Sequence, residues 1–340
     1  MNNTTISEGA EQIYAVPTGI VILLSLFYGG ISLIAILGNA LVIFIVRTSS
    51  RMKSIINCYI CNLALADIVI GIFSIPFQFQ AALLQRWNLP TFMCPVCPFF
   101  QNVSVNISIF TLVAIARDRY KAILFPLTNH PSKRVMQIKI GAIWCSSIII
   151  ALPQAIAFEV IMVDEDIPQC YPSKVSILFL KWYMFSLFFI QYFVPLLLIS
   201  YAYIAIAVKL WGSKIPGAAQ RRRDASVLKN KKRTIKVLIT VVILFGLAWL
   251  PLQVYSVANT VYPKINNYKF INILWFCAHW LAMSNSCYNP FIYLLCHEKF
   301  KKEFTHRFKF FGSNTTQETQ WGQLESTINR GRTPNTMETQ

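Results

Sequence analysis

The chain has 340 residues and a formal net charge of +17, and it is 55% hydrophobic against 13% charged. A soluble domain of this size carries about 25% charged residues. Half that share, a mean hydropathy of +0.49 and 25 Phe, 14 Tyr and 8 Trp exclude a disordered chain and argue against a soluble core. The composition predicts a membrane protein.

Charged residues are absent from 12–46, 87–116, 140–158, 182–208, 237–263 and 270–297, and 54–85 contains only Asp67. Each gap is long enough for an apolar span of about 20 residues. A backbone in lipid must satisfy its own hydrogen bonds, so the gaps predict seven helices. Their expected ranges are 19–46, 54–84, 92–123, 135–158, 178–211, 228–260 and 268–294. An outer tail (1–18) precedes this bundle (19–296), an interfacial helix (297–311) follows it, and a disordered inner tail (312–340) ends the chain. With the N-terminus outside, 26 Lys and Arg fall on the inner side and five on the outer. That asymmetry is the positive-inside signal, so the charge reports topology and not nucleic-acid binding. Residues 1–18 lack the basic leader of a signal peptide, and the first span is expected to insert as its own signal.

Asn2 and Asn3 lie in N-x-T sequons of the outer tail, where glycosylation is expected. Asn102 and Asn106 match the pattern inside a span, and Asn314 matches it on the inner side, so these read as chance matches. Phe300, Phe304, Phe308 and Phe311 share one face opposite Lys and Arg, the pattern of a helix lying in the lipid interface. Ser313, Thr315, Thr316, Thr319, Ser326 and Thr327 are candidate phosphate acceptors in the polar tail.

Asp67 is the acid inside the membrane half of the chain, apart from Asp118 at an inner edge. A buried carboxylate is costly and marks function. Ser108, Asn285 and Asn289 are polar residues on other spans that could converge on it. A carboxylate with neutral oxygens suits a hard cation, with sodium the expected ion. A protonated or water-satisfied structural Asp remains the alternative. Asp118-Arg119-Tyr120 sits 25 residues after Cys94, about 37 Å along a helix, so the two ends lie on opposite sides of the membrane. Of nine cysteines, only Cys94 and Cys170 lie clearly in outer segments, where a disulfide is compatible with the oxidising side. Cys94-x-x-Cys97 lacks a second pair or a nearby His and is not read as a zinc site. Pro195, Pro251 and Pro290 fall within spans and predict kinks. Gln101, Ser104, Ser108 and Thr111 recur at helical spacing as a polar stripe facing the bundle.

With these residues in order, the chain resembles a rhodopsin-like (class A) G protein-coupled receptor over nearly its whole length. The resemblance rests on Gly38-Asn39, Leu63-Ala-Leu-Ala-Asp67, Cys94, Asp118-Arg119-Tyr120, Trp144, Pro195, Trp249-x-Pro251 and Asn289-Pro290-x-x-Tyr293. It implies that Asp67, Ser108, Asn285 and Asn289 form a sodium pocket. Trp249 is then the aromatic toggle, and Ile109, Pro195 and Phe245 are the packing switch below it. Arg119, Tyr203 and Tyr293 rearrange as the inner face opens for a heterotrimeric G protein. Arrestin and membrane lipid are further implied partners. Ala248 replaces the usual Cys before Trp249, and Lys231 replaces the acid that clamps the Arg in some members, so only Asp118 is expected to restrain Arg119.

Longer strings narrow the resemblance. Phe77-Gln-Phe-Gln-Ala-Ala-Leu-Leu-Gln-Arg-Trp-Asn-Leu-Pro90, Phe92-Met-Cys-Pro-Val-Cys-Pro-Phe99, Lys209-Leu-Trp-Gly-Ser-Lys-Ile-Pro-Gly217 and Trp280-Leu-Ala-Met-Ser-Asn-Ser-Cys-Tyr-Asn-Pro290 are similar to invertebrate neuropeptide receptors of the leucokinin type. Tachykinin-like and RYamide-like receptors stand nearby. The implied ligand is a short, amidated, aromatic-rich peptide and the implied coupling is through Gq to calcium. Gln101 stands where amine receptors carry an Asp, and Met283 where opsins carry the retinal Lys. His279 replaces the acid expected in the kinin type. Glu8, Glu11, Glu159, Asp164, Glu165 and Asp166 make the outer face acidic, which favours a neutral or cationic ligand. The expected pocket is Gln78, Gln101, Trp182, Gln253, Trp275 and His279. No catalytic residues are expected. A transporter would need more intramembrane charge than Asp67, and an intramembrane metallohydrolase would need a zinc ligand set that four His do not supply.

Overall fold

The computed structural model describes residues 18–126, 132–164, 167–212, 221–296 and 298–308. The expectations for Asn2, Asn3, Glu8, Glu11, Glu165, Asp166, Asn314, the phosphate acceptors and the polar tail lie outside these residues. The helices are α1 (Thr18–Thr48), α2 (Ile55–Phe73), α3 (Ile75–Leu84), α4 (Met93–Leu124) and α5 (Lys133–Ala157). A hairpin of β1 (Glu159–Asp164) and β2 (Ile167–Tyr171) follows. Then come α6 (Ile177–Phe188), α7 (Val194–Gly212), α8 (Arg221–Val261), α9 (Ile271–Cys296) and α10 (Glu298–Arg307).

Among the described residues, six helical spans are long and apolar enough to cross a membrane, counting Ile55–Leu84 and Ile177–Gly212 as one span each. The seventh, α9, has 26 residues, about 39 Å of helix. Asn272, His279, Ser284, Asn285, Ser286 and Asn289 lower its hydropathy, and four of these six are buried. A helix can carry such residues across lipid when the bundle covers them.

The second expected span is not continuous. It breaks at Ser74, between α2 and α3. Pro76 opens α3 and cannot donate back into α2, so the ladder is interrupted there. The fifth span also departs from a plain helix, with a π turn at Phe189–Phe193.

Helix α4 lies at the centre and packs on α2, α5 and α7, while α1 packs on α2 and α9. The main core runs through Leu63, Ile109, Ile199, Phe245 and Met283. Large apolar side chains such as Leu26, Leu37, Ile149, Val208 and Leu295 point outward. Buried Asn39, Asn62, Asp67 and Thr111 point inward. This distribution suits a lipid solvent, in which the apolar exterior costs nothing and the polar groups must find partners inside.

Those partners link the helices. Asn39 donates from Nδ2 to the carbonyls of Ala35 (2.8 Å) and Ser286 (2.9 Å), joining α1 to α9. Trp144 Nε1 donates to Asn62 Oδ1, and Asn62 Nδ2 donates to Thr111 Oγ1, both at 2.8 Å. That chain ties α5, α2 and α4 together. Gly38 permits a close approach of α1 to α9, since a Cβ there would lie 3.1 Å from Pro290 Cγ.

Helix α10 lies within the range expected for the interfacial helix, and Phe311 of the expected apolar face lies outside the described residues. Phe300 is buried beside Tyr293, with ring centroids 6.3 Å apart. Glu303 pairs with Arg51 at 3.6 Å, and the Arg307 guanidinium lies 5.4 Å from the centre of the Phe44 ring.

Candidate functional site

The disulfide Cys94–Cys170 joins the first turn of α4 to β2. The hairpin it anchors was expected as a loop. Its register pairs Val160 with Cys170 and Ile161 with Gln169, with a bulge between Met162 and Asp164. Trp87 donates its backbone N–H to the Pro168 carbonyl (2.7 Å), and Gln169 Nε2 donates to the Gln85 carbonyl (3.3 Å). The connection after α3 is thus stapled to the hairpin. Beside it, the Ser173 hydroxyl, helped by Lys174, holds the exposed Glu159 carboxyl below its usual range.

Under the hairpin lies a cavity of about 1410 Å³. Gln78, Gln101, Gln253, Trp275 and His279 line it, and Trp249 lies deeper in the same lining. Trp182 does not line it. That side chain is 67% exposed on the outer surface of α6, so the expectation placing it in the pocket is corrected. Asn102, Gln154, Gln169 and Gln191 line it too and were not singled out for it from sequence. Arg86 is the only Asp, Glu, Lys or Arg in the lining among the described residues.

Three polar links order the wall. Ser74 Oγ donates to Gln101 Oε1 (3.2 Å), so the break between α2 and α3 positions Gln101. The Tyr28 hydroxyl lies 3.1 Å from His279 Nδ1, and His279 Nε2 lies 3.3 Å from Gln78 Oε1. The Tyr28 hydroxyl also reaches the Phe276 carbonyl at 3.1 Å, so its single proton serves either that oxygen or His279 Nδ1, while a neutral imidazole protonated at Nε2 donates to Gln78 Oε1. His279 also stacks on Trp275 with centroids 4.6 Å apart.

Below the cavity, Trp249 stacks over Phe245 at 6.0 Å, and Ile109 and Phe245 share one core cluster with it. Pro195 is buried one helix away in α7, and Pro251 lies within α8. Deeper still, Asp67 is 2% exposed. Its Oδ2 accepts from Asn289 Nδ2 at 3.0 Å, and Ser286 also hydrogen-bonds it. Ser286 was missed from sequence. Asn285, expected there, is half-buried and does not bond the carboxylate. Ser104 Oγ donates to the Ala66 carbonyl at 2.8 Å. Ser108 lies one turn further on the same face and is buried, next to the α2 turn that carries Asp67. One carboxylate, two hydroxyls and an amide fit a monovalent cation by donor chemistry.

At the opposite end of α4, Asp118 is engaged differently from expectation. Lys139 Nζ on α5 lies 2.5 Å from its Oδ1, and the Tyr59 hydroxyl on α2 donates to its Oδ2 at 3.1 Å. Among the described residues, the ion pair of Asp118 is with Lys139 and not with Arg119. The reason is tertiary: α5 and α2 both pack against this turn. Arg119 is half-buried and lies within electrostatic reach of Tyr203 and Asp118. Tyr203 and Tyr293 are buried, and Tyr120 approaches Tyr201 with centroids 6.1 Å apart.

The family model described as "7 transmembrane receptor (rhodopsin family)" matches residues 38–293. The tachykinin-like peptides receptor 99D of Drosophila melanogaster is 32% identical over 316 residues, covering 89% of this chain and 60% of that protein. The RYamide receptor of Tribolium castaneum is 36% identical over 290 residues, covering 82% of this chain and 78% of its own length. The neuromedin-K receptor of Cavia porcellus is 33% identical over 304 residues, covering 89% of this chain and 68% of its own.

Proposed function

Because the chain belongs to the rhodopsin family of seven-transmembrane receptors, we propose that it is a peptide-activated receptor of the plasma membrane, with the Cys94–Cys170 end outside and the Arg119 end facing a heterotrimeric G protein. The observation that carries this reading is the cavity under the hairpin. It is too large for a small amine alone, and its lining is polar but nearly free of charge. That chemistry suits a short, largely neutral peptide. The relatives named above carry tachykinin-like, RYamide and neuromedin-K receptor names. The four long strings favour the kinin type within the same group.

The peptide binds the state with an open Arg119 end more tightly, and only that difference shifts the population. Movement passes from Trp249 and Phe245 along α8, with Pro251 as the flexible point. Sodium held by Asp67, Ser108, Ser286 and Asn289 would favour the closed state and oppose agonist. The test is intracellular calcium in cells expressing the full chain, challenged with amidated kinin, RYamide and tachykinin-like peptides. A potent kinin response establishes subtype and Gq coupling together. A response to RYamide or tachykinin-like peptides alone moves the subtype. Silence across the panel, with the protein at the surface and no response through another G protein class, refutes the reading.

A further inference from the structure

The cavity does not end at the wall of the bundle. On α1 its lining consists of Ile20, Leu23, Leu24 and Phe27, which share one helical face. Ile20, Leu23 and Phe27 are also 44%, 52% and 49% exposed. On α9 the facing residues of the lining are Ile273, Phe276, Cys277 and Trp280, and Ile273 is 59% exposed. Ile22 and Leu26 lie on the outward side of α1, exposed and outside the lining. The lining therefore runs between the two helices onto the apolar surface that meets lipid in a membrane-spanning bundle.

The gap between α1 and α9 is a cleft with a closed floor. Phe27 meets Trp280 edge to face with centroids 5.7 Å apart, and Tyr28 meets Phe276 in the same way at 6.5 Å. Below them the helices are joined, with Cys287 Sγ donating to the Ile31 carbonyl at 3.0 Å and Asn39 to that of Ser286. Outward of the rings, no hydrogen bond or ring pairing joins α1 to α9 among the described residues. From Thr18 to Phe27 the cleft runs about 14 Å along α1. That is close to one leaflet of a hydrocarbon core about 30 Å thick.

The chemistry of the walls selects the occupant. Ile20, Leu23, Leu24, Phe27, Ile273 and Phe276 are wholly apolar, and no charged side chain faces the cleft from either helix. Water held against them would be costly. A peptide backbone there would leave N–H and C=O groups without partners. An acyl chain has neither group and bends to fill the gap. We propose that the α1–α9 cleft binds one acyl chain of a phospholipid from the leaflet at the Cys94–Cys170 end, entering sideways from the bilayer and completing the cavity wall. Lipid tails are as apolar as these side chains, so binding is driven by close packing and by the water kept out. The proposal needs the chain to span a membrane and is independent of which ligand the cavity takes.

The experiment uses the purified full chain in phosphatidylcholine nanodiscs that contain a small share of phosphatidylcholine with a diazirine on one acyl chain. After illumination and digestion, labelled residues are quantified by mass spectrometry. Leu197, Tyr201 and Ile204, on the exposed side of α7, report ordinary contact with bulk lipid. The expected result is that the half-buried Phe276 and Trp280 are labelled about threefold or more above those three, as a chain held in the cleft requires. Leu23→Trp narrows the cleft and should bring that label down to the α7 level. Leu26→Trp, one turn away and outside the lining, should leave it unchanged. Should Leu23→Trp fail to fold, seen as a lost thermal transition, Ile20→Trp reads the same cleft. Label on Phe276 and Trp280 no greater than on α7 overturns the proposal, as does equal loss in the Leu23 and Leu26 variants. Displacement of the label by cholesterol, with a photoreactive sterol marking the cleft instead, overturns the acyl chain as occupant. Cross-linking of residues 1–17 to Ile273 or Cys277 in place of lipid label also overturns it and gives the cleft to the chain's own tail. None of these outcomes bears on the peptide response, which the calcium assay reads separately.

Discussion

Lys139 is expected to control how readily the Arg119 end opens. Its Nζ lies 2.5 Å from Asp118 Oδ1, and the two side chains are 26% and 16% exposed. A hydrogen bond to a charged group contributes about 1.5–3 kcal/mol when buried, and an exposed ion pair about 0.2–1 kcal/mol. Partial screening places this pair near 1 kcal/mol, equivalent to about fivefold in an equilibrium. Lys139→Met keeps the apolar stem and removes the charge. The carboxylate of Asp118 is then left with Tyr59, and Arg119, already within its field, becomes its nearest cation. Arg119 is thereby held back from the G protein. In membranes with matched receptor number, the agonist concentration giving half-maximal nucleotide exchange should rise about fivefold. Lys139→Arg should restore the wild-type value. Unchanged potency in Lys139→Met, or raised basal exchange, would refute the idea that Lys139 keeps Asp118 away from Arg119.

Four other outcomes are expected. Asp67→Asn keeps the shape of the site and removes its charge, so agonist affinity should stop responding to exchange of choline for sodium. A full sodium response in that variant sinks the assignment. Cys170→Ser opens a link across 76 residues and should cost about 2–4 kcal/mol, seen as a lower thermal midpoint and faster peptide dissociation. Trp182→Ala removes a side chain outside the cavity and should shift peptide potency by no more than about twofold, as surface substitutions do. A larger loss would put Trp182 back in the binding site. Gly38→Val forces side-chain atoms into Pro290 and should cost about 1–3 kcal/mol, measured as reduced thermal stability without change in the peptide rank order.

The spans were legible because charge is forbidden in lipid, and that signal is carried by each residue alone. Pairings across helices were less so. Asp118 was read as the partner of its sequence neighbour Arg119. Lys139, 21 residues later, reaches it because α5 packs on α4, which periodicity does not report. One step around a helix separates Asn285 from Ser286, and only the packed bundle decides which faces Asp67. The break at Ser74 did have a signal, Pro76, hidden within an unbroken apolar run. The β1–β2 hairpin had little, since its strands are short and β2 contains Pro168. Asn102 and Asn106 were placed inside a span, but their hydrogen bonds beside Gln191 depend on a π turn without a sequence signature here.

The rim of the cavity is unequal. Towards α3 and α4 it is locked by a covalent bond, by the Trp87–Pro168 contact and by Gln169 on Gln85. Towards α8 and α9 the connection is held by exposed amide and hydroxyl contacts, Tyr255 to Asn266 and Asn266 to Asn259. Exposed neutral hydrogen bonds exchange with water at little cost. Breathing of the entrance is therefore cheapest on the α8–α9 side. On the peptide-receptor reading, a bound peptide is expected to leave on that side, while the locked side fixes its orientation.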